Sequence, residues 1–337
     1  MFQRILVPLD GSLRAESALA VAARIAHASE GTIVLLQVVG IPATSTPYIY
    51  GPDIAQSPIY AQELLDTEQL NAEKYLAEIA KSGTLAGIKV ETTVIPGSAG
   101  MTILDTASEA HIDLIVMCSH GETGFKRWAL GSVAQQVSRH SSVPVLVLRE
   151  DGTALTSAFP DRLRPLRSII ALVALDGSKM AEATLEPAAY LVAALAAPSQ
   201  GTLLLSMVVN WRPAMNKFEK EEHVLEEARR YLTGIAERIQ GGELAKLNLA
   251  IDWLIVESKD VADALIKAAE HGTSTASSHE FTGCDLIAIA THGRGGMQRL
   301  VMGSVTERVL GATALPMLPS GFGRFGCDGA TVILRLS

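Results

Sequence analysis

Aromatic residues make up only 5% of this 337-residue chain, cysteine occurs three times, and no run of Lys and Arg is extended. With so few rings, the 48% of hydrophobic residues must build an aliphatic core. Ala, Val, Leu and Ile are the usual material of parallel strands packed under Ala-rich helices, so the composition leans toward α/β. The net charge of −8 and the lack of a basic run give no footprint for a phosphate backbone, so nucleic acid is not an expected partner. No apolar stretch approaches the roughly 20 residues of a membrane span, which sets membrane partners aside. Met1-Phe2-Gln3-Arg4 passes directly into Ile5-Leu6-Val7 without a signal pattern, and a cytoplasmic location is expected. Cys118, Cys284 and Cys327 show neither paired nor metal-ligand spacing, so a disulfide framework and a metal site are not expected. Cys284 and Cys327 read as ordinary buried thiols. Cys118 stands apart, because it ends an apolar run that feeds a glycine loop.

That loop occurs twice. Ser119-His120-Gly121, nine residues and Gly131-Ser132-Val133 in the first half match Thr291-His292-Gly293, nine residues and Gly303-Ser304-Val305 in the second. The halves also match at their openings, Ile5-Leu6-Val7-Pro8-Leu9-Asp10-Gly11-Ser12 against Ala171-Leu172-Val173-Ala174-Leu175-Asp176-Gly177-Ser178, and at Val143-Pro144-Val145 against Leu315-Pro316-Met317. The register drifts through small insertions, as in a duplicated domain with its core elements kept. The length suits two domains at about 150 residues each.

Each half alternates strand and helix. The patterns predict strands near 3–10, 32–39, 88–95, 112–118 and 143–149, with helices near 13–28, 61–82, 99–110 and 131–140. In the second half, strands near 168–175, 202–209, 247–256, 284–290 and 314–318 alternate with helices near 179–197, 217–239, 259–271 and 303–312. The strands read as short apolar runs buried on both faces. Helix 61–82 carries Leu65, Ala72, Tyr75, Leu76 and Ile79 on one stripe, as a surface helix should. Such alternation implies right-handed crossovers and doubly wound parallel sheets. The expected organisation is a first domain over 1–149, a linker over 150–165, a second domain over 166–319 and a tail over 320–337. Residues 41–60, with four prolines and three tyrosines, read as a long loop.

Ligands of such sheets bind beyond the carboxyl ends of strands where the strand order reverses. Asp10 and Asp176 end the first strands and the glycine loops end the fourth, so both features border one crevice if strands one and four are neighbours. Glycines at 121, 131, 293 and 303 allow backbone to approach a phosphate closely. Ser132 and Ser304 stand where a helix dipole favours negative charge. A strand-to-helix turn with a capped helix would use the same residues, and it is the duplication together with the strand-one aspartates that favours binding.

These motifs resemble the universal stress protein family, whose ATP-binding members show Gly, two residues, Gly, nine residues, then Gly-Ser or Gly-Thr. The resemblance runs from the first to the last strand of each half. It rests on the opening Val-Pro-Leu-Asp-Gly-Ser, the Ser-His-Gly loop and the closing Ser-Val-Pro-Val-Leu-Val. It implies two tandem, doubly wound, five-stranded Rossmann-like sheets of the adenosine-nucleotide α-hydrolase-like type, paired through strands 143–149 and 314–318 as a pseudo-dimer. By position, Asp10 and Val38 would line a first adenosine pocket, with Gly121, Gly131, Ser132 and Val133 on the phosphates; Pro8, Cys118 and His120 complete that set. The second set is Asp176, Val208, Gly293, Gly303, Ser304 and Val305, with Ala290 and His292. The family's first motif glycine is replaced by Cys118 in one half and Ala290 in the other, and Ala174 stands where the first half has Pro8.

The implied role is a cytoplasmic stress-response regulatory or sensor module that binds ATP with Mg²⁺, at most weakly hydrolytic. Its partners would be ATP, a second copy of the chain and a downstream protein. Two other roles compete: an ATP-hydrolysing or nucleotidyl-transferring enzyme of the same superfamily, which lacks further catalytic motifs here, and a nucleotide-free interaction protein, against which the intact Gly-Ser pairs speak. Asp10 and Asp176 also suit Mg²⁺ orientation or capping of the helices near Ser12 and Ser178. His120 and His292 read as loop hydrogen-bonding groups, because no orienting carboxylate lies near them in sequence. Lys126, Arg127, Arg294 and Arg299 suit phosphate neutralisation and a solvated surface equally. Gly321-Phe322-Gly323-Arg324-Phe325-Gly326 fits GxGxxG but lacks the helix that pattern requires.

Overall fold

The computed structural model describes residues 2–40, 58–119, 130–149, 168–209, 217–274, 280–291 and 302–320. In the first half β1 (Arg4–Leu9), α1 (Leu13–Ser29), β2 (Thr32–Val39), α2 (Pro58–Ala80), β3 (Lys89–Pro96), α3 (Ala99–Glu109), β4 (Leu114–Cys118), α4 (Ser132–His140) and β5 (Val145–Leu148) follow one another. The second half runs β6 (Ile170–Leu175), α5 (Lys179–Glu182), α6 (Leu185–Ala196), β7 (Gly201–Val209), α7 (Lys217–Gly241) and β8 (Leu249–Glu257). It continues through α8 (Val261–His271), a small antiparallel pair β9 (Thr273–Ser274) and β10 (Glu280–Phe281), β11 (Leu286–Ala290), α9 (Ser304–Ala312) and β12 (Met317–Ser320).

Ten strands form one sheet in the order β3-β2-β1-β4-β5-β12-β11-β6-β7-β8. Within each half the strands are parallel. The halves join through their last strands, where β12 runs antiparallel to β5 with Met317 opposite Val147. The two expected five-stranded sheets are therefore halves of one continuous sheet.

Local sequence explains the elements. Helix α1 starts because the Ser12 hydroxyl accepts from the N–H of Ala15, and it stops at Glu30, whose left-handed backbone (φ 52°) returns its N–H to Ala26. Ala15, Ala18, Leu19, Ala22 and Ala26 recur at helical spacing and are buried against the sheet. Small residues there let the helix approach closely, and a buried leucine such as Leu19 contributes about 2 kcal/mol. One helical layer, with α1 and α2 from the first half and α6 and α7 from the second, shares a single core across both halves. On the opposite face α3 and α4 cover one core and α8 and α9 another. Arg24 of α1 donates to the carbonyl of Ala197 just past α6, and Arg149 just past β5 donates to the carbonyl of Leu310 in α9.

Several expectations are corrected. The helix expected over 179–197 is two helices, α5 and α6, separated by Ala183 and Thr184. The loop expected over 41–60 gives way to α2 at Pro58, which suits the first turn because the N–H it lacks would be an orphan there. Residues 41–57 lie outside the described residues, as do the linker and positions 321–337 with the GxGxxG pattern and Cys327. Ser320, expected in the tail, is the last residue of β12. β3 and β8 are not buried on both faces: they are the two edges of the sheet, and most of their residues are partly exposed. Two short 3-10 turns, Gly83–Leu85 and Glu243–Leu247, follow α2 and α7 and carry no apolar period that would announce them. Cys284 is buried as expected. No helix of the described residues is long and apolar enough to cross a membrane.

Candidate functional site

β1 pairs with β4 through Ile5 opposite Leu114 and Leu6 opposite Ile115, and β6 pairs with β11 through Ala171 opposite Leu286. The strand order thus reverses between strands one and four of each half, and Asp10 and Cys118 stand together at the carboxyl side of the first switch point, Asp176 and Ala290 at the second.

The residue after each aspartate is a glycine with φ +84° (Gly11) or +81° (Gly177), a conformation that disfavours any side chain. The turn folds the serine back: Oδ1 of Asp10 accepts from the N–H and the hydroxyl of Ser12 at 3.0 and 2.6 Å. Oδ1 of Asp176 accepts from the N–H of Ser178 at 2.9 Å. Ser12 and Ser178 in turn cap their helices, accepting from Ala15 and Ala181 at 3.2 and 3.1 Å. Capping therefore belongs to the serines, and the aspartates hold the serines in place.

The fourth strands lead to a matched closure. The N–H of Gly131 donates to the carbonyl of Ser119 at 2.8 Å, and Ser119 itself donates to Leu148 of β5 at 2.7 Å. Gly303 donates to Thr291 at 2.7 Å, and Thr291 to Ser320 of β12 at 3.0 Å. Each glycine is the extended N-cap of the helix that follows. Having no side chain, it cannot satisfy the first-turn N–H groups as Ser12 does for α1, and an α-helix leaves these groups without intrahelical partners. Ser132 and Ser304 are exposed at the two termini. Val133 and Val305 pack on the cores beneath α4 and α9, the same cores that receive Val38 and Val208 from the second strands. Pro8 is partly buried and Ala174 almost fully so.

Cys118 turns the other way. Its side chain packs on the α1 side of the sheet, where Sγ donates to the carbonyl of Arg14 at 2.9 Å and lies 3.1 Å from Oγ of Ser17. Ala290 is buried, and its carbonyl accepts from the hydroxyl of Thr306 at 2.7 Å. His120, Gly121, His292 and Gly293 lie outside the described residues, with Lys126, Arg127, Arg294 and Arg299. No cluster of three or more His, Cys, Asp or Glu that would hold a metal occurs among the described residues.

Two further features involve residues that no motif in the sequence singles out. Tyr75 of α2 donates to Glu16 in the first turn of α1 at 3.0 Å, and Tyr231 of α7 repeats this with Glu182 of α5 at 3.2 Å. Burial, foremost, pushes both phenols well above the ordinary tyrosine value, and Asp10 and Asp176 add to it by their charge. A signal was present, since each glutamate follows its capping serine by four residues and Tyr75 lies on the apolar stripe of its helix. The second feature is an ion pair between the halves, in which Arg139 of α4 donates to Glu307 of α9 at 2.9 Å.

Comparison with known proteins gives a consistent picture. A sequence model of the Universal stress protein family matches residues 1–149 and again residues 170–318. Universal stress protein YxiE of Bacillus subtilis is 30% identical over 153 residues, which span 44% of this chain and 100% of that protein. A universal stress protein of Mycolicibacterium smegmatis is 26% identical over 325 residues, 93% of this chain and 95% of that one. Among solved structures, a universal stress protein from Archaeoglobus fulgidus superposes with a TM-score of 0.61 at 21% identity, covering 96% of this chain and 100% of the other, and so shares the fold.

Proposed function

The chain belongs to the universal stress protein family as a tandem two-domain member, and we propose that it is an ATP-binding regulatory module with up to two nucleotides, one beyond each switch point. The observation that carries this reading is the doubled juxtaposition of a strand-one carboxylate with a glycine-capped helix N-terminus at a reversal of strand order. The donor set suits the group. Backbone N–H groups of α4 and α9 would receive phosphate oxygens, helped by the positive end of the helix dipole. The carboxylates of Asp10 and Asp176, with Val38 and Val208 on the adjoining strands, would receive the nucleoside.

ATP, with Mg²⁺, supplies the triphosphate charge and a hydrolysable bond, and these residues bind and orient it. Pro8, Cys118 and His120 in the first half and Ala290 and His292 in the second complete the sets by position. Gly121 and Gly293 would add close backbone approach. In this reading the module works in the cytoplasm as part of a stress response. Its partners are the nucleotide, a downstream protein and a second copy of the chain.

Equilibrium dialysis of the nucleotide-stripped protein against Mg-ATP tests the proposal. Saturable uptake that an Asp10→Ala, Asp176→Ala double variant loses is the expected result. Absence of uptake by the wild-type chain, or uptake that the double variant retains in full, would overturn it.

A further inference from the structure

Glu307 stands in the first turn of α9, one turn into the helix whose N-terminus forms the second phosphate site. A carboxylate there suits the helix dipole. It also repels a second anion brought to the same terminus, a conflict that falls off slowly where solvent is partly excluded. The first half answers it. Nη2 of Arg139, in the last turn of α4, donates to Oε1 of Glu307 at 2.9 Å. The two side chains are 30% and 50% exposed, so water screens the pair only in part.

Nearby contacts also join the two halves. Leu130, which precedes Gly131 in the first glycine loop, packs against the cores of both halves, and its counterpart Met302 is buried in the second. Arg149 reaches from β5 to the carbonyl of Leu310 in α9.

The repeat supplies an internal comparison. The residue matched to Glu307 is Gln135, whose N–H bonds Gly131 as that of Glu307 bonds Gly303. The residue matched to Arg139 is Gly311, where a Cβ would meet nothing within 4 Å. The first site therefore has a neutral residue one turn in and no side chain at the position matched to Arg139. The second has a carboxylate, and its counter-ion comes from the other half.

We propose that Arg139 is an electrostatic positioning residue of the second phosphate site, supplied by the first half, and that it sustains anion affinity there by neutralising Glu307. This rests on the nucleotide reading above. It makes the second site dependent on the docking of the two halves, whereas the first has no matching dependence.

The test is calorimetric titration with Mg-ATP in a Gly131→Val background, in which the first site is closed. Arg139→Gln, which keeps much of the aliphatic stem, should weaken the remaining site roughly two- to fivefold, as expected for a partly exposed ion pair. Glu307→Gln should not weaken it. The Arg139→Gln, Glu307→Gln double variant, which removes both charges, should return to near wild-type affinity, and raising the salt concentration should shrink the Arg139→Gln effect. A purely structural arginine would give a loss that persists without Glu307, and that result would overturn the inference, as would an unchanged affinity in Arg139→Gln. Absence of Mg-ATP binding in the wild-type chain would overturn the nucleotide reading itself, and this inference with it.

Discussion

The hydroxyl of Tyr75 donates to Oε1 of Glu16 at 3.0 Å, tying the long surface helix α2 to the first turn of α1. Glu16 lies one turn beyond Ser12, so the bond ties α2 to the helix that the Asp10-Gly11-Ser12 turn starts. Tyr231 and Glu182 build the same link in the second half, where Arg238 also donates to Glu182.

These phenols give the stability a defined alkaline limit. Burial is the main reason that Tyr75 and Tyr231 are held above the ordinary value of 10.0, and the glutamates add to it. A group whose folded value is raised contributes stability that is complete below its unfolded value and is lost as pH climbs through the interval above. Urea melts should therefore show stability falling from about pH 10 upward. A Tyr75→Phe, Tyr231→Phe double variant should flatten that fall, at a cost of about 1 kcal/mol per residue at neutral pH. An alkaline slope identical to wild type would contradict this.

Cys118 stands where the resemblance leads one to expect a glycine, and its Sγ points toward Arg14 and Ser17 of α1, on the sheet face opposite α4. Cys118→Ala should bind Mg-ATP within about twofold of wild type and lose about 1 kcal/mol of stability with the thiol contact. A tenfold change in affinity would place the side chain in the site after all.

The halves are held together by arginines in both helical layers. Arg24 and Arg149 are each 7% exposed, and burial lowers the pKa of both, with Glu270 opposing that shift for Arg149. Truncation to alanine leaves the carbonyls of Ala197 and Leu310 without these donors, at about 1–3 kcal/mol each. Arg24→Met should lose less than Arg24→Ala, because it keeps most of the packed stem. The two arginines bond different carbonyls in opposite helical layers, so a double variant should be additive within about 0.5 kcal/mol in urea unfolding.

The asymmetry between Gln135 and Glu307 can be transplanted. Gln135→Glu should weaken Mg-ATP binding at the first site by the same roughly two- to fivefold margin, and adding Gly311→Arg should restore it, since a Cβ at position 311 meets nothing within 4 Å. Calorimetry in a Gly303→Val background isolates that site. Failure of the arginine to rescue would show that the pair's charge does not reach the phosphates.

Much of this organisation was legible in the sequence because it is periodic or local. Buried strands such as Leu114–Cys118 announce themselves as apolar runs, and the Asp-Gly-Ser turn and Gly-Ser helix start recur at matched places. What escaped depends on distant partners. Leu249–Glu257 looks apolar enough for a central strand, yet it is an edge, because strand order is decided by crossovers and not by composition. The split at Ala183 and Thr184 does carry a local mark, Pro187, which has no N–H for the carbonyl of Ala183 and so belongs in the first turn of a new helix. The Tyr75 and Arg139 contacts join residues far apart in the chain, and only packing shows that they meet. In sequence Asp10 suits both capping and ligand roles, and the structure gives the cap to Ser12.

The central claim is that the two glycine-capped helix termini are the two phosphate sites. Calorimetric titration of Mg-ATP into nucleotide-stripped wild type, Gly131→Val, Gly303→Val and the double variant tests it most directly. The account predicts about two, one, one and zero nucleotides per chain. Undiminished binding in the double variant, or no heat with the wild-type chain, would contradict it.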